Sequence, residues 1–272
     1  GITGDATTKF WATVASNPEV SSEVKALATE ALNHDFGTDQ KSAHNTQTII
    51  SKFLKDNNIA DTQKSTLGDW QASGAKNSQG MEDKYMYSRI KINASLAKLR
   101  GEDMASLRKS EGQHWQGRGA SQFHEAWDEG SNDAMALIPY IAASQQQVKS
   151  LTNSTGTINR IYRGLQGDIA PILKGARKAA LKAGPGVVKE IWLGGGLQGW
   201  SMNKSTSKSI GAGSDGVLMS KENIAPEDIL LYFNAFSNSH TGEAELALDP
   251  NSHAWFSPNE VDHAGTDGWG GN

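Results

Sequence analysis

The sequence predicts an α+β protein with a mainly helical first half and a largely β second half. Three observations carry that expectation. Apolar residues recur at helical spacing through most of the chain before residue 150, short β-like runs between Gly, Pro and Asn take over from Asn159, and the glycine-rich turns that follow lack the helix a dinucleotide-binding α/β fold needs.

The elements follow in order. TTKFWATVA, SSEVKALATEALNH and TQTIISKFLKD read as helices, the second with Val24, Leu27, Ala28 and Leu32 near helical spacing behind a Ser cap. The polar stretch NNIADTQKSTLGDWQASGAKNSQG is rich in turn formers, and it places a boundary near residue 65. Two further segments, MEDKYMYSRIKINASLAKLRG and ASQFHEAWDEGSNDAMALIPYIAASQQQVKSL, again read as helical. Ile90, Leu96 and Leu99 share a face of the first, and Pro139 is expected to end or kink the second. Strands are expected in NRIYRG, VVKEIWL, GVLMS, DILLYF and AELAL, interrupted by one helix, IAPILKGARKAALKAG, with Pro171 near its start and Gly184 as its C-cap.

The 272 residues suffice for a full-sized core. With 26 Lys plus Arg against 30 Asp plus Glu, a net charge of -4 gives no electrostatic reason to expect a nucleic-acid groove or a membrane surface as the main partner. Absence of cysteine excludes disulfides, thiol nucleophiles and zinc ribbons, and leaves the redox compartment open. There is no apolar run of about 18 residues, and the start GITGDATTKFWATV lacks the basic and apolar regions of a signal peptide, so a soluble chain is expected.

G-x-G-x-x-G occurs twice, at Gly194/Gly196/Gly199 and at Gly211/Gly213/Gly216. A pyrophosphate-binding turn needs a strand before it and an amphipathic helix after it. WSMNKSTSKSIG has no apolar helical face, and VLMSKENIAP looks like a short strand running into a turn, so both glycine groups read as turns flanking a strand. The seven histidines show neither H-x-x-x-H nor H-E-x-x-H spacing, and DEGSND does not match a calcium loop; no metal is expected.

What remains is an ordered set: YRG (Tyr162 to Gly164), GWSMNKSTS with Ser201 and Ser205, and EAE (Glu243 to Glu245). On a strand, Glu243 and Glu245 would share a face. Singly, each motif has an ordinary structural reading. Together, in this order, they resemble the mono-ADP-ribosyltransferases of the arginine, Ser-Thr-Ser, Glu-x-Glu class, found among bacterial toxins and phage enzymes. DKYMYSRIKINASLAKLRG is similar to that family's helical segment upstream of the arginine strand, and ELALDPNSHAWFSPNEV to its glutamate strand and the turn after it. The likeness covers about residues 66–272 and leaves residues 1–65 as a separate helical segment.

The resemblance implies a split β-sandwich clasping NAD as substrate, without metal. It implies that Glu245 binds the ribose 2′-OH and stabilises an oxocarbenium-like transition state, as in glycoside chemistry. Arg163 grips the diphosphate, next to Gly164. Ser205 is expected to hold Glu245, with Thr206 and Ser207 lining the cofactor site; the literal Ser-Thr-Ser favours Ser205 as the motif serine, and Ser201, directly after Gly-Trp, is the alternative. Glu243 would draw a proton from an acceptor guanidinium, which points to arginine on a host or target protein. The loop YFNAFSNSHTG is expected to expose Phe236 and His240 for target recognition. A secreted or phage-delivered enzyme would fit this family. Two alternatives stay open: a catalytically silent virion or interaction protein that keeps the fold, and an NAD glycohydrolase in which water replaces the acceptor.

Overall fold

A computed structural model describes residues 9–37, 42–71, 79–165, 169–183, 191–192, 197–207, 216–249, 255–256 and 261–263. The protein is α+β, and it divides into two compact units. Gly1–Gln147 with Ala235–Ser239 forms the first; Val148–Asn234 with His240–Asn272 forms the second. The division falls after Gln147, and residue 65, where the sequence placed a boundary, lies inside a helix.

The first unit is helical. Its elements are α1 (Lys9–Ser16), α2 (Ser22–Leu32), α3 (Ala43–Asp56), α4 (Gln63–Gln71), α5 (Gln79–Leu99), α6 (Met104–Gly112), α7 (Arg118–Asn132) and α8 (Ala134–Val148). Ser21 caps α2 by accepting from the Val24 N–H at 3.3 Å, and the helix buries Val24, Leu27, Ala28 and Ala31. α4 corrects the turn-rich reading of residues 57–80. Leu67 and Trp70 lie buried on it, so tertiary burial outweighs the weak local propensity of QKSTLGDWQ.

α8 is buried nearly all round, and Pro139 sits inside it without ending it. Each large side chain buried nearby, among them Leu137, Ile138, Tyr140 and Ile141, contributes about 1.5–3 kcal/mol. Together they exceed the roughly 3 kcal/mol that an interior proline costs a helix. The long helical segment before it breaks at Asp133, whose N–H closes α7 on the Glu129 carbonyl at 2.9 Å. α5 and α7 cross at Gly130, where an added Cβ would stand 2.2 Å from the Lys91 carbonyl oxygen. Ser95 Oγ donates to the Gly130 carbonyl at 2.6 Å, and Gln63 Nε2 donates to Ser95 Oγ at 3.0 Å, which ties α4 to the same crossing.

The second unit carries β1 (Ile158–Leu165), α9 (Ile169–Ala183), β2 (Ile191–Trp192), β3 (Gln198–Ser201), α10 (Lys204–Thr206), β4 (Val217–Ile224), β5 (Ile229–Tyr232), β6 (Glu245–Leu248), β7 (Trp255–Phe256) and β8 (Val261–His263). Six strands form an antiparallel sheet in the order β5-β6-β3-β1-β4-β8, and β2 pairs antiparallel with β7. Of the expected cap and glycine groups, Gly184, Gly194, Gly196, Gly211 and Gly213 lie outside the described residues. Gly199 sits in β3, and Gly216 immediately precedes β4.

Candidate functional site

The sheet order sets the three motif-bearing strands side by side. β3 lies between β1 and β6, and Ser201 is the direct partner of Tyr162 on one side and of Glu245 on the other. Direct partners in a pleated ladder project from the same face, so Tyr162, Ser201 and Glu245 form a row across three strands. Arg163, one residue along, takes the alternate position opposite Met219 of β4, and its Nη1 donates to the Gly199 carbonyl of β3 at 3.4 Å. Gly164 follows opposite Leu218. The register therefore brings Ser201 and Glu245 together on one face and turns Arg163 to the other, so the expected convergence of Arg163 with Glu245 is corrected by the alternation of side chains along β1.

Ser201 holds the ladder position, and Ser205 does not. The Ser-Thr-Ser motif lies on the short helical turn α10 and its C-cap, because the Asn203 side chain caps that turn: Oδ1 accepts from the Ser205 and Thr206 N–H groups at 3.1 and 3.3 Å. Ser205 is exposed on that turn, and its Oγ donates to Asn203 Oδ1 at 2.8 Å. Ser207 is buried, and its Oγ donates to the Tyr162 carbonyl at 3.1 Å, tying the end of the turn to β1. The Lys204 ammonium stands 5.9 Å from the centre of the Tyr162 ring.

Glu243 also departs from the strand reading. It ends a 3-10 turn, Thr241–Glu243, and β6 begins only at Glu245, so the spacing of two residues does not put both carboxylates on one strand face. The turn is bracketed by His240 and Ala244, with φ of 54° and 44°, a region that side chains larger than glycine seldom adopt. Such geometry persists where neighbours over-determine it. Here three successive residues grip three successive carbonyls. Asn203 Nδ2 donates to Gly242 O at 2.9 Å, Ser201 Oγ donates to Glu243 O, and Met202 N donates to Ala244 O at 3.3 Å. Ser201 Oγ also accepts from the Asn203 N–H at 2.9 Å.

The Glu243 carboxyl is half-buried, and loss of solvent raises its pKa above the ordinary glutamate value. His240, whose Nδ1 lies 3.6 Å from Glu243 Oε1, opposes that rise. His240 is exposed, as the loop reading requires, but Phe236 is not. It is 6% exposed and meets the Tyr140 ring edge-on at 5.0 Å, because Ala235–Ser239 belongs to the helical unit. The Phe236 expectation is corrected on that ground: an aromatic ring in a polar loop gains more from burial than from solvent.

Sequence reasoning missed Asn203. The available signal was an Asn directly before Lys-Ser-Thr, a helix N-cap pattern that the Ser-Thr-Ser match obscured. Elsewhere, a cavity of about 400 Å³ opens in the first unit along Arg108, Lys109, Gly112 and His124. It has no carboxylate among its lining residues and lies in a different unit from the row of Tyr162, Ser201 and Glu245, so that row is the candidate site. Among the described residues, no group of His, Cys, Asp and Glu is placed to hold a metal ion, and no helix is long and apolar enough to cross a membrane. No protein-family model matches the chain, and neither a curated protein nor a solved structure matches it.

Proposed function

We propose that the protein is a mono-ADP-ribosyltransferase that moves ADP-ribose from NAD to an arginine side chain of a target protein and releases nicotinamide. The observation that supports this is the adjacency of the three motif strands, with Ser201 directly between Tyr162 and Glu245. The α+β architecture with an antiparallel sheet is compatible with this reading.

In this reading the C–N bond between ribose C1′ and nicotinamide breaks, and its electron pair leaves with the pyridine. Glu245, held at the start of β6, accepts a hydrogen bond from the ribose 2′-OH and offsets the positive charge that develops on the sugar. The acceptor guanidinium must lose a proton to become a nucleophile, and Glu243 takes it. Glu243 lies on a turn and Glu245 on a strand, which supports giving the two carboxylates different roles. Arg163, one residue after Tyr162 and so on the opposite face of the sheet from Ser201 and Glu245, is given no part in gripping the same NAD.

The test is incubation of the protein with NAD labelled in its adenylate part and a cell lysate. Nicotinamide release together with labelled protein, the label assigned to arginine by mass spectrometry of its peptides, supports arginine transfer. Neither signal from folded protein removes the proposal. Release without labelled macromolecule converts it to NAD hydrolysis.

A further inference from the structure

We infer that Asn203 is a positioning residue for the Glu243 turn, fixing the acceptor side of the site; the inference rests on the transferase reading above. The side chain works at both ends. Its Oδ1 caps α10 through Ser205 and Thr206, and its Nδ2 holds the Gly242 carbonyl at 2.9 Å. Ser201 and Met202 hold the next two carbonyls, but Ser201 is a ladder residue and Met202 acts through its backbone. Asn203 therefore supplies the one of these three bonds made by a side chain outside the ladder.

The strap it belongs to reaches further. Ser207, four residues on, bonds the Tyr162 carbonyl of β1, so residues 201–207 link the strand of Arg163 to the turn of Glu243. That turn needs holding. With positive φ at both His240 and Ala244, a side-chain donor on Gly242 O counters a backbone that would otherwise relax toward commoner conformations. Glu245 is fixed separately, by its ladder partner Ser201. Loosening the turn should therefore disturb proton removal from the acceptor more than departure of nicotinamide.

Asn203→Asp separates the two roles. The aspartate keeps an oxygen to cap α10 and replaces the donor with an oxygen that faces the Gly242 carbonyl, whereas Asn203→Ala loses both. Amide hydrogen exchange gives a readout free of activity. The Glu243 and Ala244 N–H groups, bonded to His240 O and Thr241 O, should exchange about tenfold faster in Asn203→Asp, the scale of one lost hydrogen bond. The ratio of transfer onto polyarginine to nicotinamide release without acceptor should fall about tenfold as well. Unchanged exchange at those two amides in folded Asn203→Asp overturns the clamp, and faster exchange with an unchanged ratio overturns its role toward the acceptor. If the unsubstituted protein releases no nicotinamide, the transferase reading falls together with that role, and the exchange result still decides the clamp.

Discussion

Ser201 faces Glu245 across the β3–β6 ladder, and its hydroxyl donates to the backbone carbonyl of Glu243, so one side chain is tied to both members of the glutamate pair. Removing this buried hydroxyl leaves the Glu243 carbonyl without that donor and the Asn203 N–H without its acceptor. Ser201→Ala should therefore destabilise the protein by about 1–3 kcal/mol, while Ser205→Ala, exposed on its turn, should stay within about 0.5 kcal/mol. Urea denaturation of the two variants checks the difference. Nicotinamide release should follow the same order, and near-normal turnover in Ser201→Ala would return the motif role to Ser205.

The two carboxylates sit on different elements, which predicts different losses. Glu245→Gln, on β6, should lower both nicotinamide release and transfer by about 10²-fold or more, the scale of removing a group aimed at transition-state charge. Glu243→Gln, on the turn, should abolish transfer to arginine and leave part of the hydrolysis. Parallel assays of labelled acceptor and free nicotinamide decide it; equal losses in both variants would remove the division of labour.

Much of the second half could be read from sequence because β5 and β6 are short, mostly apolar runs and β1 and β4 carry β-like apolar residues between turn signals, a local pattern that agrees with their place in the sheet. The misreadings lie where a tertiary partner overrides local chemistry. α4 is helical because Leu67 and Trp70 are buried, and α8 continues through Pro139 because it is buried on nearly every side. Around the candidate site the strands were legible and the turns were not. Ser-Thr-Ser has no apolar periodicity that separates a strand from a capped helical turn, and only the Asn203 side chain makes the choice. Glu-Ala-Glu likewise reads as a strand until Ala244 takes a positive φ, which its sequence gives no reason to expect.

Protonation of Glu243 links the site to pH. Burial raises its pKa above the ordinary glutamate value, and His240, when it carries a proton, pulls it back. The folded protein thus holds the Glu243 proton more tightly than the unfolded chain does. Its contribution to stability is present in acid, below the unfolded value, and is lost as pH rises through the raised one. The base form is the one that serves transfer, so transfer onto arginine should increase with pH across a range shifted upward from that of a free glutamate. His240→Ala removes the opposing charge and should move this acid limb to higher pH, whereas Glu243→Gln should erase it. Rate profiles for transfer, set against those for hydrolysis, measure the shift; an acid limb that stays in place in His240→Ala would show that the pair is not coupled.

Phe236 distinguishes a recognition loop from a packed one. Its ring is buried edge-on against Tyr140, whose hydroxyl donates to Asp61 at 2.9 Å and accepts from Gln47 at 2.9 Å. The chain on either side is also fixed, with Gln147 Nε2 donating to the Ala235 carbonyl at 3.4 Å. Truncation should therefore open a cavity beside a hydrogen-bonded tyrosine that cannot move to fill it. Phe236→Ala is expected to cost about 3–5 kcal/mol, and Phe236→Leu, which keeps most of the volume, clearly less. Ala235–Ser239 belongs to the helical unit, so the loss should register in that unit's unfolding, followed by near-ultraviolet circular dichroism in urea. A solvent-facing recognition residue predicts the opposite pattern: both variants would unfold with the midpoint of the unsubstituted protein, and only the choice of acceptor would change.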